Sequence, residues 1–150
     1  MMTRFVDPIR PTVRAVIFRE GNLLVQVKQK LGRPTYLTLP GGRQESGETM
    51  VECLARECQE EIGAQVAVGH LLHVAEVFKP RQNDMRHQIE MLFACTVSAD
   101  YAPQMGYHPD PSQVDTVWAS PETEAHRFRP AFAVHLSNPT SPRYLGVFDG

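Results

Sequence analysis

The chain has 150 residues, 42% of them hydrophobic and 21% charged, with a formal net charge of −2. Those figures describe one globular domain with an ordinary core and exclude a general affinity for nucleic-acid backbones or anionic membrane surfaces. No apolar run approaches the roughly 18 residues of a membrane span, and the first residues lack a signal-peptide core, so the expected location is the cytoplasm. Cys53, Cys58 and Cys95 form no CxxC pair and are odd in number, which argues against a disulfide framework and for buried thiols.

Residues 12–18 are β-branched and apolar, Glu20-Gly21-Asn22 is a turn signal, and residues 23–27 alternate again. This reads as a hairpin, followed by the cations Lys28, Lys30 and Arg33. Thr49 with Glu52 three residues later forms a capping box, and Gly63 stands where a left-handed residue ends a helix, which predicts a helix over 49–62. Val51, Leu54, Ala55, Cys58 and Ile62 would form its core-facing stripe. Glu57, Glu60 and Glu61 fall together on a neighbouring face.

Beyond the helix, residues 65–68 and 71–78 read as strands, 79–86 as a polar loop and 88–97 as another strand. Residues 101–113 are a proline-containing loop and 114–119 a short strand. Residues 121–136 suggest a second helix broken at Pro130, and 138–150 a tail. Helices beside several strands suggest an α+β domain with a mixed sheet. His70 and His73 would not share a strand face, so a histidine metal site is not expected.

The segment from Gly42 to Ala64 is the most informative in the chain: Gly42, five residues, Glu48, seven residues, Arg56-Glu57, two residues, Glu60-Glu61, one residue, Gly63, then Ala64. Seven specified positions would coincide by chance about once in 10⁸ frames at average residue usage. Three neighbouring carboxylates repel unless a cation lies among them. Divalent ions such as Mg²⁺ or Mn²⁺ take oxygen donors and share themselves between few carboxylates and a substrate phosphate. Pro40-Gly41-Gly42 just before the helix lets the backbone turn and approach a ligand.

This segment resembles the Nudix box, the signature of the Nudix hydrolases. Cys58 departs from the larger aliphatic residue usual there, but a free thiol keeps the slot apolar. The resemblance implies an α/β/α sandwich. It implies that the Gly41 carbonyl joins Glu57, Glu60 and Glu61 around one or more metal ions, that Arg56 holds the box carboxylates, and that Glu48 supports the loop and reaches a second metal through water. The reaction implied is hydrolysis of a pyrophosphate bond in a nucleoside diphosphate linked to another group. Glu57 is the default general base and Glu90 the alternative. On strand alternation Glu90 shares a face with Gln88 and Leu92, and a half-exposed strand would turn that face to solvent.

Substrate choice lies outside the box. Pro80, sixteen residues past it, matches a family tendency towards ADP-ribose, although a strand end entering a polar loop explains a proline equally. Arg14, Lys28, Arg33 and Arg43 are candidates for phosphate contact, and Tyr36 for stacking on a base, with Phe78 and Trp118 more in keeping with core packing. ADP-ribose or a nucleotide sugar is therefore the favoured substrate. The rivals are a nucleoside triphosphate and a non-catalytic nucleotide sensor, which would be marked by lost box acids; none is lost. The expected partner is a small nucleotide rather than a nucleic-acid polymer or membrane, and a homodimer stays open.

Overall fold

A computed structural model describes residues 5–150. Two sheets face each other, and the one long helix covers the outer face of the larger. The larger sheet runs in the order β5-β1-β7-β6-β9, built from Gly41–Arg43, Arg10–Val16, Met85–Thr96, Ala67–Pro80 and Tyr144–Asp149. β1 lies parallel to β7, β7 antiparallel to β6, and β9 parallel to β6, so the sheet is mixed. The smaller sheet is centred on β3 (Asn22–Lys28), which pairs with β2 (Phe18–Arg19), β4 (Tyr36–Thr38) and β8 (Gln113–Ala119). The α+β class and the sandwich expected from the sequence are what the chain adopts. No helix among the described residues is long and apolar enough to cross a membrane.

Period-two alternation along the strands divides the interior into two cores. Val13, Ala15 and Ile17 of the β1 segment and Met91, Phe93 and Cys95 of β7 face helix α1 (Met50–Ile62) and bury Cys53, Leu54, Cys58 and Ile62. The opposite faces supply Val16, Leu92, Ala75 and Val77, which meet Leu23, Val25, Val27 and Leu37 of the smaller sheet together with Phe128 and Phe132. Burial of all three cysteines agrees with the thiol reading.

Helix α1 begins as its sequence dictates. Thr49 Oγ1 accepts from the Glu52 amide at 3.1 Å, and the Glu52 carboxylate accepts from the Thr49 amide at 2.9 Å. Gly63 closes it with φ 61°. The buried stripe is rotated from the expected one: Val51 and Ala55 are exposed and Cys53 is buried. The cause is β5, because the Cys53 thiol lies under the carbonyls of Gly42 and Arg43, at 3.9 and 3.4 Å, and draws that side of the helix inward.

Four expectations need correction. The first strand does not fold back as one hairpin: β1 joins the larger sheet, and only Phe18–Arg19 turns onto β3. The two strands expected at 65–68 and 71–78 are one long strand, β6 (Ala67–Pro80), interrupted by register shifts near Leu71 rather than by a loop. The second helix shrinks to a 3-10 turn at Ala125–Arg127 and a single turn, α2, at Ala133–Leu136, since Pro130 removes a helical donor between them. The supposed tail contains β9, hidden from the alternation rule by Gly146 at φ 93° in mid-strand.

Candidate functional site

The glycine bend and the helix meet at Glu57. Gly41, with φ 140°, lies so close to β1 that a Cβ there would stand 2.0 Å from the Val13 carbonyl oxygen. A Cβ on Gly42 would stand 2.6 Å from Cδ of Glu57. Both positions therefore need glycine, one for backbone packing and the other to leave room for a carboxylate.

Arg56 organises the exposed side of the cluster. Its guanidinium grips Glu48 with two bonds, Nη2 to Oε1 at 2.8 Å and Nε to Oε2 at 3.0 Å, and Nη1 reaches Glu57 at 3.1 Å and Glu60 at 3.3 Å. Two parallel bonds from a planar cation fix orientation as well as charge. The hydrogen bond from Arg56 holds the Glu48 carboxyl down to about 2.

Glu61 points the other way, into the protein, where Gln26 Nε2 donates to Oε1 at 2.8 Å. Burial first, and the charge of Glu57 against the help of Gln26, push its carboxyl up to about 7. Glu57 is raised as well, by burial and then by Glu60, against the pull of Arg56. Among the described residues no three His, Cys, Asp or Glu side chains are gathered tightly enough to enclose a cation as they stand; Arg56 and Gln26 hold the glutamates apart. The donor set still suits a hard divalent ion. It consists of oxygens only, on adjacent turns of one helix, with two members, Glu57 and Glu61, held back from ionisation chiefly by burial.

The loop expected at residues 101–113 completes this side, in a role that its sequence did not announce. Residues 101–112 strap across the end of α1: the amides of Gly106 and His108 donate to the carbonyls of Glu61 and Glu60 at 3.0 and 2.8 Å, and Tyr101 Oη donates to Ile62 at 2.6 Å. These bonds satisfy carbonyls that a helix terminus leaves open. A Cβ on Gly106 would meet the Glu60 carbonyl oxygen at 2.1 Å. The strap brings His108 and Asp110 to the shallow hollow bounded by Glu57, Glu60 and Glu61. Neither was marked by the sequence, where they sit in an irregular stretch without motif spacing.

On the inner side lies a cleft of about 320 Å³ between the two sheets. Arg14, Lys28, Arg33 and Tyr36 line it, as do Glu90 and Gln88. Glu90 corrects the solvent reading: it is 1% exposed, accepts from Arg14 Nε at 2.8 Å and from Gln88 Nε2 at 3.2 Å. The face is shared with Gln88 and Leu92, as alternation required, but the second sheet covers it. Arg43 is not in the cleft; it is exposed on β5, with Arg10 as a cationic neighbour. Trp118 lies under the Arg19 guanidinium, 4.7 Å from ring centroid to Cζ, and Phe78 stacks edge-on with Phe5 and His87. Pro80 ends β6 on the surface, paired with Met85. His73 is occupied with the Pro142 carbonyl at 2.8 Å.

The two hollows touch through β3. Gln26 holds Glu61 on one side, and two residues on, Lys28 stands in the cleft with Nζ 3.7 Å from Asp110 of the other hollow. A ligand lying across β3 would put one end beside the glutamates and the other among cations.

The family model for the Nudix domain matches residues 8–137. Among solved structures, a Nudix hydrolase from Nitrosomonas europaea is 21% identical, with 91% of this chain and 93% of that one covered at a TM-score of 0.71. The ORF135 protein of E. coli is 25% identical, covering 85% and 86% at a TM-score of 0.61. An ADP-ribose pyrophosphatase from Streptococcus suis is 17% identical, covering 95% and 100% at a TM-score of 0.59. With a domain match over most of its length and the carboxylates of the box on one helix beside a glycine bend, the chain belongs to the Nudix family of pyrophosphohydrolases.

Proposed function

We propose that the protein hydrolyses the pyrophosphate bond of a nucleoside diphosphate joined to a second group, using Mg²⁺ or Mn²⁺. The observation that carries this reading is the placement of Glu57 against Gly42 and of Glu61 on Gln26, which sets two carboxylates on either side of a hollow that opens towards a cationic cleft. Glu57, Glu60, Glu61 and the Gly41 carbonyl would hold the metal, with Glu48 supporting the loop and reaching a second ion through water. When bound, the metal supplies an acidified water and charge neutralisation on the phosphates.

The chain's own groups do the rest. Glu57 takes the proton of the attacking water. Glu90 is a less suitable base, because Arg14 and Gln88 occupy both of its oxygens; its role is to position the Arg14 guanidinium towards the substrate. Arg56 keeps Glu57 and Glu60 from turning away into solvent. Lys28 and Arg14 attract the diphosphate, and Tyr36 offers a ring face to the group beyond it.

The substrate reading is supported by the similarity to the ADP-ribose pyrophosphatase of Streptococcus suis. Pro80 gives it no support, since it stands outside the cleft. A panel of ADP-ribose, nucleotide sugars, diadenosine polyphosphates and nucleoside triphosphates, assayed with each metal, tests the proposal. Glu57→Gln and Glu61→Gln are expected to lower kcat by about 100-fold or more. Rates equal to wild type in both variants would refute the assignment.

A further inference from the structure

Six of the chain's fifteen Lys and Arg residues converge on the inter-sheet cleft, in a protein whose overall charge is negative. Arg14 and Lys28 form its floor. Lys30 and Arg33, from the β3–β4 connection, stand with Lys79 at the end of β6 and Arg129 before α2 as its exposed rim. Among the described residues Glu90 is the one side-chain carboxylate lining the same space, and Arg14 takes it at 2.8 Å; Gly150 lies there too, against Lys79. Lys28 has Asp110 at 3.7 Å. Among the described residues none of the four rim cations has a carboxylate within 4.0 Å, and Arg129 donates only to the carbonyls of His126 and Phe128.

Solvated surface cations spread out or pair, because like charges near one another raise the energy of the fold. Here four segments distant in sequence bring them together. Burial and then Arg14 lower the Lys28 ammonium, and Lys79 is drawn down to about 8 by desolvation against the cleft wall and by Lys28, Arg14 and Lys30. A diphosphate met by Arg14 and Lys28 at the floor leaves the four cations of the rim without a partner. The walls add Thr38 and Gln88, which suit hydroxyl groups, and a single aromatic ring, Tyr36, where a sandwiched base would call for two.

We propose that the cleft receives a phosphorylated sugar or polyol, so that the group joined to the nucleoside diphosphate carries a phosphate monoester of its own, held by Lys30, Arg33, Lys79 and Arg129. This rests on the function proposed above for the direction in which the substrate lies. It goes further in naming the chemistry of the second half: hydroxyl groups at the floor and a dianionic phosphate at the rim. Arginine forks and lysine point charges both serve such a group.

The test compares ADP-ribose with its 1″-phosphate and its 2′-phosphate, and with ATP, in wild type, in the double variant Lys30→Met/Arg33→Met and in Lys79→Met on the opposite wall. The 1″-phosphate is expected to show a kcat/KM on the order of tenfold above ADP-ribose, and each rim variant to collapse that ratio towards one. Separately, ribose 1-phosphate, but not ribose, is expected to bind Glu61→Gln protein in EDTA by calorimetry, more weakly as salt rises. Equal rates for the 1″-phosphate and ADP-ribose, a preference that survives both rim changes, or a preference confined to the 2′-phosphate or to ATP would overturn the proposal. If Glu61→Gln still hydrolyses every probe while ribose 1-phosphate binds as expected, the catalytic reading fails and the cleft assignment stands.

Discussion

Gln26 and Glu61 meet at 2.8 Å in the interior, the first fully buried and the second 8% exposed, and this bond ties the central strand of the smaller sheet to the last turn of the box helix. Replacing Gln26 by Leu leaves a buried carboxylate with no donor, which costs about 1–3 kcal/mol. The expected outcome is a lower melting temperature and a shift of the acid limb of the kcat profile to higher pH, because the charged form of Glu61 loses its only neutral partner. An unshifted limb would show that Gln26 acts through packing alone.

Glu61 also gives the metal-free protein a pH dependence of a definite sign. Its folded value of about 7 lies above the ordinary 4.5, so the folded chain holds that proton more tightly than the unfolded one. The stabilisation is complete below pH 4.5 and is lost as pH rises through about 7. Glu61→Gln removes the loss. In EDTA at pH 8 the variant should melt about 5 °C above wild type, and Mg²⁺ should narrow the gap by stabilising wild type alone. A scanning-calorimetry series at pH 5 and pH 8 checks both parts.

Two glycine-to-alanine changes should separate chemistry from architecture. At Gly42 the new methyl meets the far end of the Glu57 side chain, which can swing aside, so the expected result is a kcat reduced about 100-fold with little change in melting. At Gly106 the methyl meets the backbone carbonyl of Glu60, which cannot move without detaching the strap. There the expected cost is about 2–4 kcal/mol of stability. Parallel thermal melts and initial rates on the two proteins decide the matter.

The Glu48–Arg56 fork is an acid-side element. Glu48 is lowered from 4.5 to about 2, so its contribution is present above pH 4.5 and disappears as pH falls towards 2. Glu48→Gln should reduce stability by about 1 kcal/mol at pH 7 and flatten the melting-temperature slope across that acid window. Arg56→Lys should behave similarly, since an ammonium cannot make the two-pronged bond.

The box helix, its caps and the alternation of β1 and β7 were legible because each is a local rule: a threonine three residues before a glutamate, a terminal glycine, side chains pointing alternately up and down. What escaped depends on distant partners. Glu90 looked solvent-facing because nothing within its strand announces that a second sheet covers it. β9 was hidden by Gly146, and its pairing with β6 links residues about seventy positions apart. His108 and Asp110 reach the hollow because Gly106, His108 and Tyr101 bond to carbonyls at the end of α1 and Lys28 meets Asp110, contacts between distant residues that no local pattern announces. Lys28, Lys30 and Arg33 drew notice as cations after the first hairpin, whereas their convergence with Lys79 and Arg129 needed the folded topology.

The box helix carries no basic residue in its last turn, and that turn holds both Glu60 and Glu61. A helix accumulates partial negative charge at this end, so the chain has concentrated three sources of one sign where a sequence optimised for durability would have placed a lysine. Such an arrangement is a reservoir of electrostatic tension released when a positive guest arrives. Robustness and turnover are thereby set against each other at a single helical turn: substitutions that relax it should harden the protein and silence it together.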